Sequence, residues 1–134
     1  MIVVDTSAIV AIYAGENEAL AFSDRISADG ERILSAGTVL ELTLVLRGLG
    51  ENSRLLADSW IDRLVVSAGF RIEPVTETQV TIARDAHRRY GKGMGHPAQL
   101  NFGDCFSYAL AKSLNVPLLY KGGDFAMTDI ASAI

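Results

Sequence analysis

The sequence predicts an α/β fold in which a parallel sheet is covered by helices on both faces. Three observations carry this prediction. Apolar runs of strand length alternate with stretches of helical periodicity along the chain. The runs Met1 to Val4 and Val116 to Tyr120 are apolar on consecutive positions, the pattern of strands buried on both faces. No internal repeat, low-complexity tract or proline-rich linker interrupts the alternation. The chain has 134 residues, 49% of them hydrophobic, which is enough for one compact domain over residues 1–134 and too little for two.

Met1 to Val4 reads as a buried strand that hands over at Asp5 to a short helix, capped by Ser7 and running through Tyr13 to a stop at Gly15. A second helix is expected from about Asn17 to Ala28, with Gly30 beyond it. Arg32 to Ser35 is the second strand candidate, followed by a helix from about Gly37 to Arg47 that stops at Gly48. Ser53 is expected to open a helix through about Ala68, and Arg71 to Val75 gives a third strand. Thr76 with Gln79 three residues later is a capping-box pattern for a helix reaching Tyr90. Glycines and Pro97 mark residues 92–102 as a loop that delivers the chain to Asn101, the expected cap of a helix through Leu114. Val116 to Tyr120 is the fourth strand, and Lys121-Gly122-Gly123-Asp124 its exit. Asp5 and Asp124 then leave the carboxyl ends of two strands, the edge at which open parallel sheets bind ligands.

The N-terminal apolar run is broken by Asp5 and lacks a basic leader, and later runs are interrupted by charge, so neither a signal peptide nor a membrane span is expected. The single cysteine, Cys105, has no internal partner and suits a reducing, cytoplasmic setting as a small buried apolar residue. A net charge of -4 argues against bulk attraction to nucleic acid. Four carboxylates beside apolar runs, Asp5, Glu41, Asp104 and Asp124, would account for that charge by themselves.

Each of the four has an ordinary structural role open to it. Asp5 and Asp124 could serve turns, and Asp104 could be the first-turn acid of the helix capped by Asn101. Glu41 is embedded in Val39-Leu40-Glu41-Leu42-Thr43-Leu44-Val45-Leu46, where an isolated carboxylate is costly unless it is paired, for instance with Arg47. Two carboxylates about 5 Å apart repel by about 3 kcal/mol at an effective dielectric of about 20, so a cluster of them requires cations. An all-oxygen donor set without histidine or thiolate selects hard ions such as Mg²⁺ or Mn²⁺, which support phosphodiester hydrolysis. Spacing alone does not establish that the four converge.

Four segments carry a resemblance: Ile2-Val3-Val4-Asp5-Thr6-Ser7, the embedded Glu41, Asn101-Phe102-Gly103-Asp104-Cys105-Phe106-Ser107-Tyr108-Ala109, and Leu118-Leu119-Tyr120-Lys121-Gly122-Gly123-Asp124-Phe125. In order and surroundings they resemble a PIN domain, and more narrowly the VapC-type toxins of bacterial toxin-antitoxin systems. The resemblance implies a three-layer sandwich with a central parallel sheet of four or five strands. It implies a Mg²⁺-dependent endoribonuclease, with Mn²⁺ as substitute, usually a homodimer and inhibited by a cognate VapB-type antitoxin. It assigns Asp5 and Asp104 as principal metal ligands, Glu41 and Asp124 as direct or water-mediated members of the acidic site, and Thr6 as a supporting hydroxyl. Gly122-Gly123 departs from the further polar residues many relatives carry there, which weakens the case for Asp124.

Two basic sites are candidates for RNA phosphates. Arg84 and Arg88 share a helix face in the densest basic segment, and Lys121 lies close to Asp124. The ordinary alternative is a solvated helix face for Arg84 and Arg88, which the pattern favours, and a surface lysine for Lys121. Leu55, Leu56, Trp60, Ile61, Leu64, Val65 and Val66 make one helix apolar beyond a single face, which suggests a partner surface. Two other functions stay open: a catalytically silent PIN-like module binding RNA or protein, and an aspartyl phosphotransfer enzyme using Asp5. Ser7 stands where the latter needs a second aspartate.

Overall fold

The computed structural model describes residues 1–134 and has four parallel strands in the order β3-β2-β1-β4. The elements are β1 (Ile2–Val4), α1 (Thr6–Ala14), α2 (Ala19–Ala28), β2 (Arg32–Ser35), α3 (Ala36–Arg47), α4 (Glu51–Ser67), β3 (Phe70–Glu73), α5 (Glu77–Tyr90), α6 (Phe102–Leu114) and β4 (Leu118–Leu119). A 3₁₀ turn over Phe125–Met127 follows. The expected parallel α/β sandwich is present. The carboxyl-terminal residues extend it slightly: Leu118 donates to Ala131 and Ala133 donates to Leu118, so the tail covers the free edge of β4.

Strand side chains alternate between two cores, as a pleat requires. Ile2, Val4, Leu34 and Leu119 point into one core with Ile9, Leu42, Leu46 and Ile61 from α1, α3 and α4. Val3, Ile33 and Leu118 point into the other with Ala86 of α5 and Tyr108, Leu110 and Ala111 of α6. Asp5 keeps extended backbone angles, so it continues the alternation of Val3 toward α6.

Several local expectations are corrected. The cap of α1 is Asp5, whose side chain accepts from the Ser7 amide; Ser7 is inside the helix and spends its hydroxyl on Asp5. Helix α4 begins at Glu51 after Gly50, whose φ of 145° suits only glycine, so Ser53 is interior; its hydroxyl bonds Tyr13 instead. Strand β3 starts one residue early, at Phe70, and stops before Pro74, which cannot donate to a ladder. Strand β4 is reduced to two residues. Thr76 does cap α5 by accepting from the Gln79 amide, but Gln79 turns its own amide to the Pro74 carbonyl, so only half a capping box forms. The complete box lies at the start of α6, between Asn101 and Asp104. No helix is long and apolar enough to cross a membrane.

Candidate functional site

Strand β1 delivers Asp5 to the carboxyl edge of the sheet with almost no exposed surface. Three donors hold it there: Ser7 N at 2.9 Å and Ser7 Oγ at 2.7 Å to Oδ2, and Ser107 Oγ at 2.6 Å to Oδ1. Ser7 Oγ in turn accepts from the Lys121 amide at 3.0 Å, which ties the exit of β4 to the start of α1. Asp104 enters from the first turn of α6. Its carboxylate accepts from the Asn101 amide at 2.9 Å while Asn101 Oδ1 accepts from the Asp104 amide at 2.9 Å. The capping role and a place in the site are therefore compatible: the box locks the side chain that faces the cleft.

Glu41 reaches the same cleft from α3. Arg47 does not pair with it; that guanidinium grips Asp58 of α4 at 2.9 and 2.6 Å. Glu41 instead lies against Gly103, where a Cβ would fall 1.2 Å from its Oε2. Only the absence of a side chain at Gly103 lets the carboxylate occupy that space. Asp5, Thr6, Ser7, Glu16, Glu41, Asn101, Asp104 and Lys121 line one open cleft of about 400 Å³ together with Val10 and Val45. Asp124 stands apart, exposed on the segment after β4, close enough for its charge to be felt by Asp104.

The electrostatics mark the cleft as a site that opposes its own charges. Burial, then the neighbouring charges of Asp5, Glu41 and Asp124, push Asp104 up to about 7 despite the Asn101 hydrogen bond. Glu41 is also raised, chiefly by burial and further by Asp5, with Thr6 pulling the other way. Thr6 is buried beside Glu41, near enough to lower its pKa, yet its Oγ1 makes no hydrogen bond of good geometry to it or to any other group. An orphaned hydroxyl among crowded carboxylates fits a hard divalent cation with its water, for which every donor here is oxygen. The side chains do not pre-form a cage, because no three acidic groups meet at one ion-sized point.

The basic candidates are placed differently. Lys121 lies on the cleft wall, paired with Glu16 and with Glu18, and both carboxylates raise its pKa. Arg84 and Arg88 lie outside the cleft, beside a separate groove of about 520 Å³ between α5 and α6, and Arg88 pairs with Asp85 at 2.5 Å. Ser107, Thr38, Gly103 and the structural role of Ser7 escape sequence reading. A serine inside the apolar run of α6 and a glycine directly before Asp104 were the available signals.

A four-stranded parallel sheet covered by helices, with buried Asp5 at its carboxyl edge meeting Glu41 of α3 and half-buried Asp104 of α6 in one open cleft, defines an α/β protein with an acidic site at the end of its sheet. The match to the PIN domain family model spans residues 2–131, and the chain belongs to that family, within its VapC branch. It is 45% identical over 132 residues to ribonuclease VapC28 of Mycobacterium tuberculosis, covering 98% of this chain and 97% of the relative. It is 43% identical over 133 residues to a VapC ribonuclease of Mycobacterium bovis, covering 98% of each. Among solved structures, M. tuberculosis VapC20, a toxin that cleaves the sarcin-ricin loop, superposes with a TM-score of 0.73 at 19% identity, over 98% of this chain and 97% of that one, which bears on the fold alone. FitAcB of Neisseria gonorrhoeae superposes at 0.72 with 25% identity, over 98% and 96%.

Proposed function

We propose that this protein is a Mg²⁺-dependent endoribonuclease, with Mn²⁺ as substitute, acting in the cytoplasm as the toxin of a type II toxin-antitoxin module. The observation that carries the reading is the pairing of rigidly held Asp5 and Asp104 with the orphaned Thr6 hydroxyl in one cleft. Asp5 and Asp104 would hold the cation, and Glu41 and Asp124 would complete the site directly or through water. The ion supplies activation of water and stabilisation of charge at the phosphate.

The residues divide the remaining work. Ser7 and Ser107 keep Asp5 oriented by donating to both of its oxygens. Burial and the neighbouring carboxylates raise Asp104 to about 7 in the metal-free cleft, an opposition of charge that a bound cation would relieve. Thr6 orients a ligand or water through its unused oxygen. Lys121 at the cleft wall meets a phosphate flanking the cleaved bond, whereas Arg84 and Arg88 line the α5–α6 groove and would reach RNA phosphates only from its rim. A cognate VapB-type antitoxin covers the exposed leucines of α3 and α4, including Leu40, Leu44 and Leu55. A second copy of the chain covers the apolar groove between α5 and α6.

Antitoxin-free protein incubated with structured cellular RNAs should cleave them with Mg²⁺ or Mn²⁺ and not after chelation. Asp5→Asn and Asp104→Asn should each lower the rate by more than about 100-fold, since loss of even an outer partner of a metal ligand costs about 10- to 100-fold. Undiminished cleavage by the variants, or cleavage surviving chelation, rules the mechanism out. The lack of a preformed three-acid cage favours a second reading, a silent RNA- or protein-binding module. Folded protein that binds no Mn²⁺ and cuts no RNA decides for it.

A further inference from the structure

Ser107 lies inside α6 and Thr38 near the start of α3, both without exposed surface. A buried hydroxyl is costly unless it is bonded, and these two satisfy each other and a third group. Thr38 Oγ1 is 3.1 Å from Ser107 Oγ, and Ser107 Oγ donates to Asp5 Oδ1 at 2.6 Å. Serine has one hydroxyl proton. Because that proton is committed to Asp5, the direction of the other bond is fixed: Thr38 donates and Ser107 accepts. The chain Thr38, Ser107, Asp5 thus links α3, α6 and the end of β1 in a single orientation.

The acceptor count at Asp5 follows. An ionised carboxylate offers about four acceptor directions, two on each oxygen. Ser7 fills both on Oδ2 through its amide and its hydroxyl, and Ser107 fills one on Oδ1. One direction remains free, on Oδ1. We propose that the Thr38–Ser107 hydroxyl pair is a positioning device: with Ser7 occupying Oδ2, it makes Asp5 offer a divalent cation its Oδ1 in a single direction. The inference rests on the metal-nuclease reading above and extends it from which residues hold the ion to which ion they admit. Small ions such as Mg²⁺ and Mn²⁺ take single oxygens at near-octahedral angles, whereas Ca²⁺ tolerates bidentate carboxylates and loose geometry. A carboxylate restricted to one lone pair therefore selects the smaller ion.

The test titrates Mn²⁺ and Ca²⁺ calorimetrically into the full-length protein, purified free of partners, and into Ser107→Ala and Thr38→Val. Circular dichroism fixes a temperature at which all three are folded. Ser107→Ala should bind Mn²⁺ about 10- to 100-fold more weakly, the range for loss of an outer partner of a metal ligand. Its Ca²⁺ affinity should fall less, because an Oδ1 freed in both directions accepts an ion over the wider range of angles that Ca²⁺ tolerates, so the preference for Mn²⁺ shrinks. Thr38→Val should shift the preference in the same direction by a smaller factor. In parallel RNA cleavage, the Mn²⁺ concentration for half-maximal rate should rise about 10- to 100-fold in Ser107→Ala, in step with the loss of Mn²⁺ affinity. Unchanged Mn²⁺ affinity in Ser107→Ala, or equal losses for Mn²⁺ and Ca²⁺, overturns the proposal. Wild-type protein that binds Mn²⁺ but cuts no RNA overturns the nuclease reading alone, and the ratio of affinities still decides the positioning role. Wild-type protein that binds neither ion overturns both.

Discussion

Gly103 and Asp104 are adjacent in the chain and act on the site in opposite ways, one by lacking a side chain and one by the charge it carries. A methyl group at Gly103 would overlap the Glu41 carboxylate, so Gly103→Ala must displace that group from the cleft. Displacement of a reacting or positioning group by about 1 Å can cost about 100-fold. Gly103→Ala is accordingly expected to lower RNA cleavage by about that factor while circular dichroism shows the helix content retained. Asp104 makes a pH prediction. Its folded pKa of about 7 lies above the value of about 3.9 for an unfolded aspartate. Between those values the folded state holds the extra proton, so the contribution of Asp104 to stability is complete below about pH 4 and is lost as pH rises through about 7. In chelator, the part of the melting-temperature decline over that range that arises from Asp104 should vanish in Asp104→Asn, and the variant should melt above wild type at pH 8. A variant whose melting profile parallels wild type from pH 4 to 8 would show that Asp104 is not the group responsible.

Helices α3 and α6 set the site because they approach closely, and two glycines permit it. Gly103 on α6 admits Glu41 of α3, and Gly37 on α3 admits the Phe106 ring of α6, which a Cβ would meet at 2.6 Å. The Thr38–Ser107 bond crosses the same seam. The amino terminus of α6 is fixed separately by the Asn101–Asp104 box. Asn101→Ala removes the side-chain oxygen that caps the Asp104 amide and keeps the backbone N–H that holds the Asp104 carboxylate, and a lost cap costs about 1 kcal/mol. Such a loss lowers the melting temperature of a domain this size by about 4 °C. By contrast, Asp58→Ala removes only an exposed ion pair between α3 and α4 and should shift melting less than Asn101→Ala does. Differential scanning calorimetry of the two variants separates them. Asn101 was legible as a cap from its position before an apolar run. That its partner would be Asp104 was legible only as a structural alternative to metal binding, and the geometry makes the two roles one.

For the whole molecule, alternation of strand and helix patterns was enough to read the sheet: β1 and the β4 segment are consecutive apolar runs, and the outer strand β3 alternates apolar with charged residues as an exposed edge does. Ends were less legible where tertiary partners decide them, as at Ser7 and Ser53, whose hydroxyls serve Asp5 and Tyr13 rather than helix starts. The acids were visible as interruptions of apolar runs. The hydroxyls that orient them were not, because a serine or threonine in a helix gives no sign of the element it will face. The apolar breadth of α4 divides: Ile61 is in the core with Trp60, Leu64 and Val65 packed against it, while Leu55, Leu56 and Val66 are exposed, Leu55 at 73% and Val66 at 81%. The second apolar surface, between α5 and α6, was not anticipated; it is lined by Val75, Val80, Met94 and by Phe102, 81% exposed, and it lies on the side of α6 away from Asp5. Two apolar surfaces on one small domain call for two coverings. If the α5–α6 groove takes a second copy of the chain and the α3–α4 face takes the antitoxin, the two assemblies separate by mutation. Antitoxin-free protein should run as a dimer in size-exclusion chromatography with light scattering. Val80→Glu with Met94→Glu should give the monomer, because a buried unpaired carboxylate on each side opposes association, whereas Leu55→Glu should leave the dimer intact and weaken antitoxin capture. A dimer that survives the paired groove substitutions but is lost in Leu55→Glu would reverse the two assignments.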